Sequence, residues 1–427
     1  MNKTINYKRL AFNSFLSRIF YISICTLSHY FIPHYDLSTN LNDSSSIFIP
    51  LLKWDAVHFR DISENGYLQE HTLAFFPLLP YITRTFHIII NSIFHIINSI
   101  FPFRTGIEVF TIGIILNNLI FIINSLLLYK LTLYVFDFNT AIITFYLYIF
   151  NPASIICSSL YTESLFMLLF LISLFFLIMK REVYCTIVLS LSVLCRSNGI
   201  LFCILLYRFR WNLLHFIALC IPIGLHQLYC LSKILGVIVF KNLFDFLEVF
   251  SNLPYKFSLK EEHLLEAYEF KDNLLSVVDT TSIQTTKDFI TYTVMKIFIP
   301  YSYVQKKYWN QGFLKFFTFL NIPNMLIGLP FIVFSVYSFF IPLESLEYCY
   351  LINLLKTQLF LNTILSVFFF HWNTYFRFVS FNPIVYWTIA KIYLNSKRPF
   401  LFKLYLKYYL AFSVAYAILF GAFFPPA

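Results

Sequence analysis

The chain has 427 residues, of which 59% are hydrophobic and only 12% are charged, and its mean hydropathy is +0.71. Water-soluble proteins carry roughly 25% charged residues, so this composition excludes a soluble domain. The net charge of +10 is spread over short loops, which indicates a role in membrane orientation rather than nucleic-acid binding.

Apolar runs long enough to cross a bilayer recur from Leu10 to the C-terminus. Lipid cannot satisfy backbone amides, so these runs must be helices rather than open strands. We predict an all-α polytopic membrane protein, a single domain over residues 1–427, with about ten to twelve crossings. The eight cysteines lie almost entirely in apolar segments without a C-x-x-C pair, which favours buried thiols over a disulfide framework or a metal site.

The first predicted helix, Leu10–Ile32, follows Lys3, Lys8 and Arg9. This arrangement is typical of a signal anchor with a cytoplasmic N-terminus. Residues 33–73 are then a loop on the far side of the membrane, and this loop contains a glycosylation sequon at Asn42.

The stretch Trp54–Pro80 concentrates charge at the edge of this loop. Its acidic side chains and histidines are Asp55, Asp61, Glu64, Glu70, His58 and His71. So many charged side chains next to apolar sequence must be in contact with water. Such a cluster usually indicates a substrate-binding site. The alternative is a solvated loop with a hydrogen-bonded histidine.

Further spans are predicted in chain order. They cover residues 107–128, 141–150, 164–179, 211–231, 350–370, 381–394 and 400–420, with two short apolar segments at 183–195 and 199–207. One more span ends at Ile341 and begins either at Gly312–Phe317 or after Pro323-Asn324. Residues 74–101 contain two prolines and read as one kinked crossing or two half-helices. If the basic turns 180–181 and 207–210 are placed in the cytoplasm, residues 74–101 must cross the membrane twice or not at all, and we prefer this placement. Residues 241–311 are predicted to be a luminal or interfacial loop region.

Ionisable residues at helix breaks are functional candidates by default. They are Asp55 with His58, Glu163, Arg196 with Asn198, and Arg377. The predicted topology brings all of them to one face. Arginine can hold phosphate oxygens and a carboxylate can act as general base, which together fit glycosyl transfer from a lipid-phosphate sugar. Both arginines could instead extend to lipid headgroups, and His58 has no second ligand at metal-like spacing.

Several blocks together resemble one known family. They are WDAVHFRDISENGYLQEHTLAFFPLLP at 54–80, NPASIICSSLYTESLF at 151–166, RSNGI at 196–200, YWNQGFLKFF with IPNMLIGLP at 308–330, and RFVSFNPIVYW at 377–387. Their sequence and order are similar to those of the PIG-V family of glycosylphosphatidylinositol (GPI) mannosyltransferases, which are GT-C type enzymes. The resemblance covers most of the chain's length.

The resemblance implies an endoplasmic-reticulum enzyme with a luminal catalytic loop and no cofactor. Such an enzyme moves mannose from dolichyl-phosphate mannose to the GPI precursor as the second mannose, in an α-1,6 linkage and with inversion. It also implies Asp55 as catalytic base and a set of substrate-binding residues. These are Trp54 and His58 towards the acceptor, Arg196 or Arg377 at the donor phosphate, and Glu163 and Asn198. A small membrane partner subunit occurs in some relatives.

Two alternatives stay open. The first is another dolichyl-phosphate-sugar transferase of the same class. The second is a lipid scramblase or transporter, which would need charged residues on both faces of a pathway and internal symmetry.

Overall fold

A computed structural model describes residues 6–35, 46–100, 107–207, 209–235, 301–302, 304–345, 347–395 and 399–424. Within these ranges every regular element is helical and there is no β-strand. The α-helices are α1 (Tyr7–Phe31), α2 (Asp55–Asn65), α3 (Leu78–Ile100), α4 (Val109–Val135), α5 (Phe138–Ile149), α6 (Ser154–Ser158), α7 (Glu163–Ile178), α8 (Glu182–Val193), α9 (Asn212–Leu235), α10 (Ile322–Phe340), α11 (Cys349–Phe369), α12 (Tyr375–Val379), α13 (Pro383–Leu394) and α14 (Phe400–Gly421). Five 3-10 helices lie in the described part of the chain, at Ile49–Leu51, Glu70–Ala74, Ser197–Leu206, Phe319–Asn321 and Trp372–Thr374.

Six of these helices are long and apolar enough to cross a membrane, namely α1, α4, α9, α10 with the turn before it, α11 and α14. Four shorter apolar helices lie among the described residues as well. The predicted class, an all-α polytopic membrane protein, is confirmed. The number of crossings stays a prediction, and Asn42 and most of the loop region 241–311 lie outside the described residues.

Helix α1 shows how the bundle suits lipid. Its polar side chains, such as Ser14 and Arg18, are buried against other helices, whereas Phe12, Phe15 and Ile19 are exposed. A membrane protein presents apolar side chains outward because the surrounding solvent is hydrocarbon. Helix α1 packs on α4 and α14 through its polar side.

Arg18 binds backbone carbonyl groups at the break where helix α5 ends. It donates hydrogen bonds to the carbonyl oxygens of Ile149 at 3.0 Å and Ser154 at 2.7 Å, and its guanidinium carbon lies 3.5 Å from the centre of the Phe121 ring. The last carbonyls of a helix lack partners within it, and Pro152 prevents α5 from continuing. Arg18 therefore fastens α1 to the break that precedes α7.

Helix α3 corrects one prediction. Leu78–Ile100 is a single helix, which at 1.5 Å per residue is about 35 Å long. Pro80 falls in its first turn, where the missing N–H costs no helical hydrogen bond. The two half-helices, and with them a double crossing by residues 74–101, are therefore wrong.

Four helix ends carry the ionisable residues of the candidate site. Asp55 and Glu163 are the first residues of α2 and α7, Arg196 immediately precedes the 3-10 helix Ser197–Leu206, and Arg377 lies in α12. Helix α12 packs against α10 and α11. A side chain at Gly328 on α10 would overlap the carbonyl oxygen of Trp372, so a glycine permits this close approach.

Candidate active site

Two carboxylates and two guanidinium groups form a continuous chain of ion pairs. Arg377 donates from Nη2 to Oδ2 of Asp55 at 2.9 Å and from Nε to Oε1 of Glu163 at 2.8 Å. Nη1 of Arg196 lies 2.5 Å from the same Glu163 oxygen. Positive and negative groups alternate along this chain, so every buried charge has an opposite partner, without which its burial would be very costly.

The four members differ in their access to water. The side chain of Glu163 is 2% exposed, that of Arg377 9%, that of Arg196 11% and that of Asp55 29%. Asp55 is therefore the member best placed to meet a substrate, and Glu163 is the buried anchor of both arginines.

A cavity of about 350 Å³ opens over this chain of ion pairs. Asp55, Arg196 and Arg377 all line it, and Glu163 lies behind the two arginines. Among the other lining residues that carry polar or aromatic groups are Trp54, His58, Phe75, Trp309, His371 and Asn373. The volume falls in the range of roughly 300–1,000 Å³ that is usual for small-molecule sites.

His58 belongs to an aromatic wall of this cavity. Its ring centre lies 4.7 Å from that of Phe75, in a stacked arrangement, and 6.3 Å from that of Trp309. Burial lowers the pKa of His58 below its ordinary value, against the opposing effect of the negative charges on Asp55 and Asp61. A neutral imidazole can donate and accept hydrogen bonds, as a sugar hydroxyl requires.

Not all of the predicted site residues line the cavity. The structure places Trp54, Asp55, His58, Arg196 and Arg377 on the cavity wall. The buried Nε1 of Trp54 has no hydrogen-bond partner among the described residues. The roles given to these residues stay predictions.

Asn198 is not among the residues that line the cavity. It is buried in the 3-10 helix Ser197–Leu206, and neither atom of its side-chain amide has a hydrogen-bond partner within the described part of the chain. Its predicted contact with substrate therefore has no geometric support.

Several residues that the structure brings to this site have no role predicted from the sequence. Tyr161 lies beneath Asp55 and Arg377, and Trp309, His371 and Asn373 line the cavity. Tyr161 and Trp309 fall inside the quoted motif blocks, but in a chain with 30 tyrosines a single tyrosine carries no signal of its own. Trp309, one of only five tryptophans, is the residue that its rarity could have singled out.

No group of three or more His, Cys, Asp or Glu side chains is arranged to hold a metal ion in the described ranges. That the reaction needs neither metal nor cofactor stays a prediction.

Several known proteins resemble this chain, two of them over about two thirds of its length or more. The GPI mannosyltransferase 2 of Schizosaccharomyces pombe is 27% identical over 394 residues, which cover 90% of this chain and 74% of that protein. The GPI mannosyltransferase 2 of Drosophila melanogaster is 27% identical over 296 residues, covering 66% of this chain and 62% of the fly protein. The Candida albicans protein of the same name is 34% identical over 130 residues, or 30% of this chain and 31% of its own length.

Among solved structures, the oligosaccharyltransferase of Archaeoglobus fulgidus aligns with a TM-score of 0.40 and 14% identity, over 97% of this chain and 56% of that one. Residues 27–359 match the family described as mannosyltransferase (PIG-V). This match covers well over half of the chain and contains Asp55, Glu163 and Arg196. The chain belongs to the PIG-V mannosyltransferase family.

Proposed function

We propose that this chain transfers mannose from dolichyl-phosphate mannose to a GPI precursor in the lumen of the endoplasmic reticulum, adding the second mannose through an α-1,6 linkage. Family membership makes the chain a mannosyltransferase of GPI-anchor biosynthesis in a membrane, acting on a lipid-linked sugar and a glycan acceptor. The proposal adds the donor, the linkage, the side of the membrane and the residues.

One observation carries the assignment of residues: a carboxylate and two arginines converge on the same cavity wall. A glycosyl transfer from a lipid phosphate needs a base for the attacking hydroxyl and positive charge for the departing phosphate. The series of ion pairs Asp55–Arg377–Glu163–Arg196, whose successive contacts are 2.9, 2.8 and 2.5 Å, supplies both at one cavity.

The two arginines have unequal capacity for phosphate. Arg377 uses Nε and Nη2 on carboxylates, whereas Arg196 uses only Nη1 on a carboxylate among the described residues. A guanidinium has five N–H donors, so Arg196 has more of them free for phosphate oxygens. We assign the donor phosphate to Arg196 and the orientation of Asp55 to Arg377.

The proposed chemical step is a single in-line displacement. The 6-hydroxyl of the acceptor mannose attacks C1 of the donor mannose while its proton passes to the carboxylate of Asp55. The bond from C1 to the phosphate oxygen breaks, and its electron pair leaves with dolichyl phosphate. Attack opposite the leaving group converts the β-linked donor into an α-linked product. Trp54 and His58, on the same wall as Asp55, hold the acceptor sugar.

The test is mannose transfer in membranes. Membranes of cells that lack their own second mannosyltransferase receive radiolabelled dolichyl-phosphate mannose, with and without this chain. We expect a two-mannose precursor to form only with the chain, and the new linkage to be cleaved by an α-1,6-specific mannosidase. Labelling of a different acceptor would favour another dolichyl-phosphate-sugar transferase, and no labelling would contradict the proposal.

The scramblase or transporter alternative is not favoured, because the family is one of transferases. A small membrane partner subunit stays part of the proposal. Co-purification of a second small membrane protein with the tagged chain would support it, and full activity of the chain purified alone would contradict it.

A further inference from the structure

We infer that Tyr161 is a positioning residue that holds Asp55 in the geometry needed for transfer. The inference rests on the proposed function, because it concerns the same carboxylate. Tyr161 is completely buried in the short connection between α6 and α7, and it does not line the cavity itself. It acts through the backbone that carries Asp55.

The hydroxyl of Tyr161 bridges two backbone groups. It accepts a hydrogen bond from the backbone N–H of Asp55 at 3.1 Å and donates one to the carbonyl oxygen of Lys53 at 3.1 Å. A bridge of this kind needs a protonated hydroxyl. Burial and the carboxylate of Asp55 raise the pKa of Tyr161 well above its ordinary value, which keeps the proton in place.

The residue between the two bridged groups is in an unusual conformation. Trp54 has φ 53° and ψ −124°, and a positive φ is unfavourable for any residue with a Cβ. Trp54 is also the N-cap of α2, and its side chain makes no capping hydrogen bond. The first N–H groups of a helix have no partner within it. The Tyr161 hydroxyl satisfies that of Asp55 and holds the turn.

The ring of Tyr161 contacts the partner of Asp55 as well. The guanidinium carbon of Arg377 lies 4.8 Å from the ring centre, within the range of a cation–π contact. The hydroxyl thus fixes the backbone of Asp55, while the ring supports Arg377. These two functions can be separated by substitution.

Tyr161 is itself held by neighbouring elements. The amide of Asn117 on α4 donates to the carbonyl oxygens of Ser159 at 2.7 Å and Tyr161 at 2.8 Å. The hydroxyl of Ser159 donates to the carbonyl oxygen of Leu51, just upstream of the Asp55 turn. The connection before α7 is therefore hydrogen-bonded to the backbone on both sides of Trp54.

The experiment compares Tyr161→Phe with wild type in the full-length chain, at matched abundance, in membranes of cells that lack their own second mannosyltransferase. The assay is steady-state mannose transfer from dolichyl-phosphate mannose to the one-mannose precursor. Because Phe keeps the ring but removes the bridge, we expect kcat to fall about ten- to a hundredfold, as for a small misplacement of a catalytic group, with the donor KM within about twofold. Tyr409→Phe is the matched control: its buried hydroxyl donates to the carbonyl oxygen of Leu147 at 2.9 Å, away from the cavity. We expect Tyr409→Phe to leave kcat unchanged.

A kcat for Tyr161→Phe equal to that of Tyr409→Phe would overturn the inference, as would a rise in donor KM with kcat unchanged. Should Tyr161→Phe not accumulate, Ser159→Ala tests the same attachment of the connection to the Asp55 turn. We expect Ser159→Ala to lower kcat severalfold at constant KM. Unchanged kcat in Ser159→Ala would then overturn the inference. Loss of transfer by the wild-type chain itself would instead contradict the proposed function.

Discussion

Replacing Glu163 by glutamine tests the ion-pair chain at its most buried point. Glu163 accepts from Arg377 at 2.8 Å and contacts Arg196 at 2.5 Å, and its side chain is only 2% exposed. Glutamine keeps the shape and one acceptor oxygen but removes the charge. Arg377 then keeps only Asp55 as a carboxylate partner, and Arg196 keeps none among the described residues.

The expected cost follows from burial. Breaking a buried ion pair by removing one partner costs about 3–5 kcal/mol, because the other charge stays buried without compensation. For a chain of this length the usual entropy of unfolding corresponds to a fall in Tm of about 1 °C per kcal/mol, so we expect a fall of about 3–5 °C. The assay is thermal unfolding of the purified chain in detergent.

Glu64→Gln provides a matched control within the same protein. Glu64 pairs with Arg60 at 3.0 Å one turn along α2, and both side chains are 29% exposed. An exposed pair of this spacing contributes about 0.3–0.5 kcal/mol, so Tm should change by less than about 1 °C. Equal Tm values for the two variants would refute the reasoning that the Glu163 contacts are buried ion pairs.

The remaining predictions concern the phosphate and pH. Arg196→Ala should raise the donor KM about ten- to a hundredfold, which is the equivalent of one charge-assisted hydrogen bond. Arg60→Ala is the control and should leave the donor KM unchanged. An unchanged KM for Arg196→Ala in steady-state kinetics would contradict the phosphate assignment. The pKa of His58 is below that of a histidine in the unfolded chain, which is near 6.5. As the pH drops below about 6.5, the unfolded state therefore binds more protons than the folded state, and the stability should fall. His58→Gln should weaken this dependence of Tm on pH between 7.5 and 5.5, and identical slopes would show that His58 is not buried as a neutral group.

The helices could be predicted because a bilayer dictates their length and apolar character. The helix predicted to start after Glu163 and to run to Met179 agrees within one residue at each end with α7, Glu163–Ile178, and the segment 400–420 matches α14. The error at residues 74–101 arose from reading the prolines as possible breaks and from placing the basic turns 180–181 and 207–210 in the cytoplasm. Pro80 lies in the first turn of α3, and only the position of the helix start distinguishes that case.

The site was predictable in part. Ionisable residues at helix breaks are conspicuous in a chain that is 12% charged, which is why Asp55, Glu163, Arg196 and Arg377 could be selected. Their pairing could not be derived, since Arg377 is 322 residues from Asp55 and either arginine could have met lipid headgroups. Tyr161 could not be selected at all, because its importance lies in two backbone contacts that only the fold creates.

The most direct test of the account is the rate of mannose transfer by Asp55→Asn beside Asp61→Asn. Both aspartates lie on α2, but Asp61 accepts a hydrogen bond from Asn65 at 2.8 Å and does not line the cavity. The account predicts that Asp55→Asn lowers kcat about 10²–10⁴-fold, the usual contribution of a general base, while Asp61→Asn stays near wild type. Wild-type kcat in folded Asp55→Asn would contradict it.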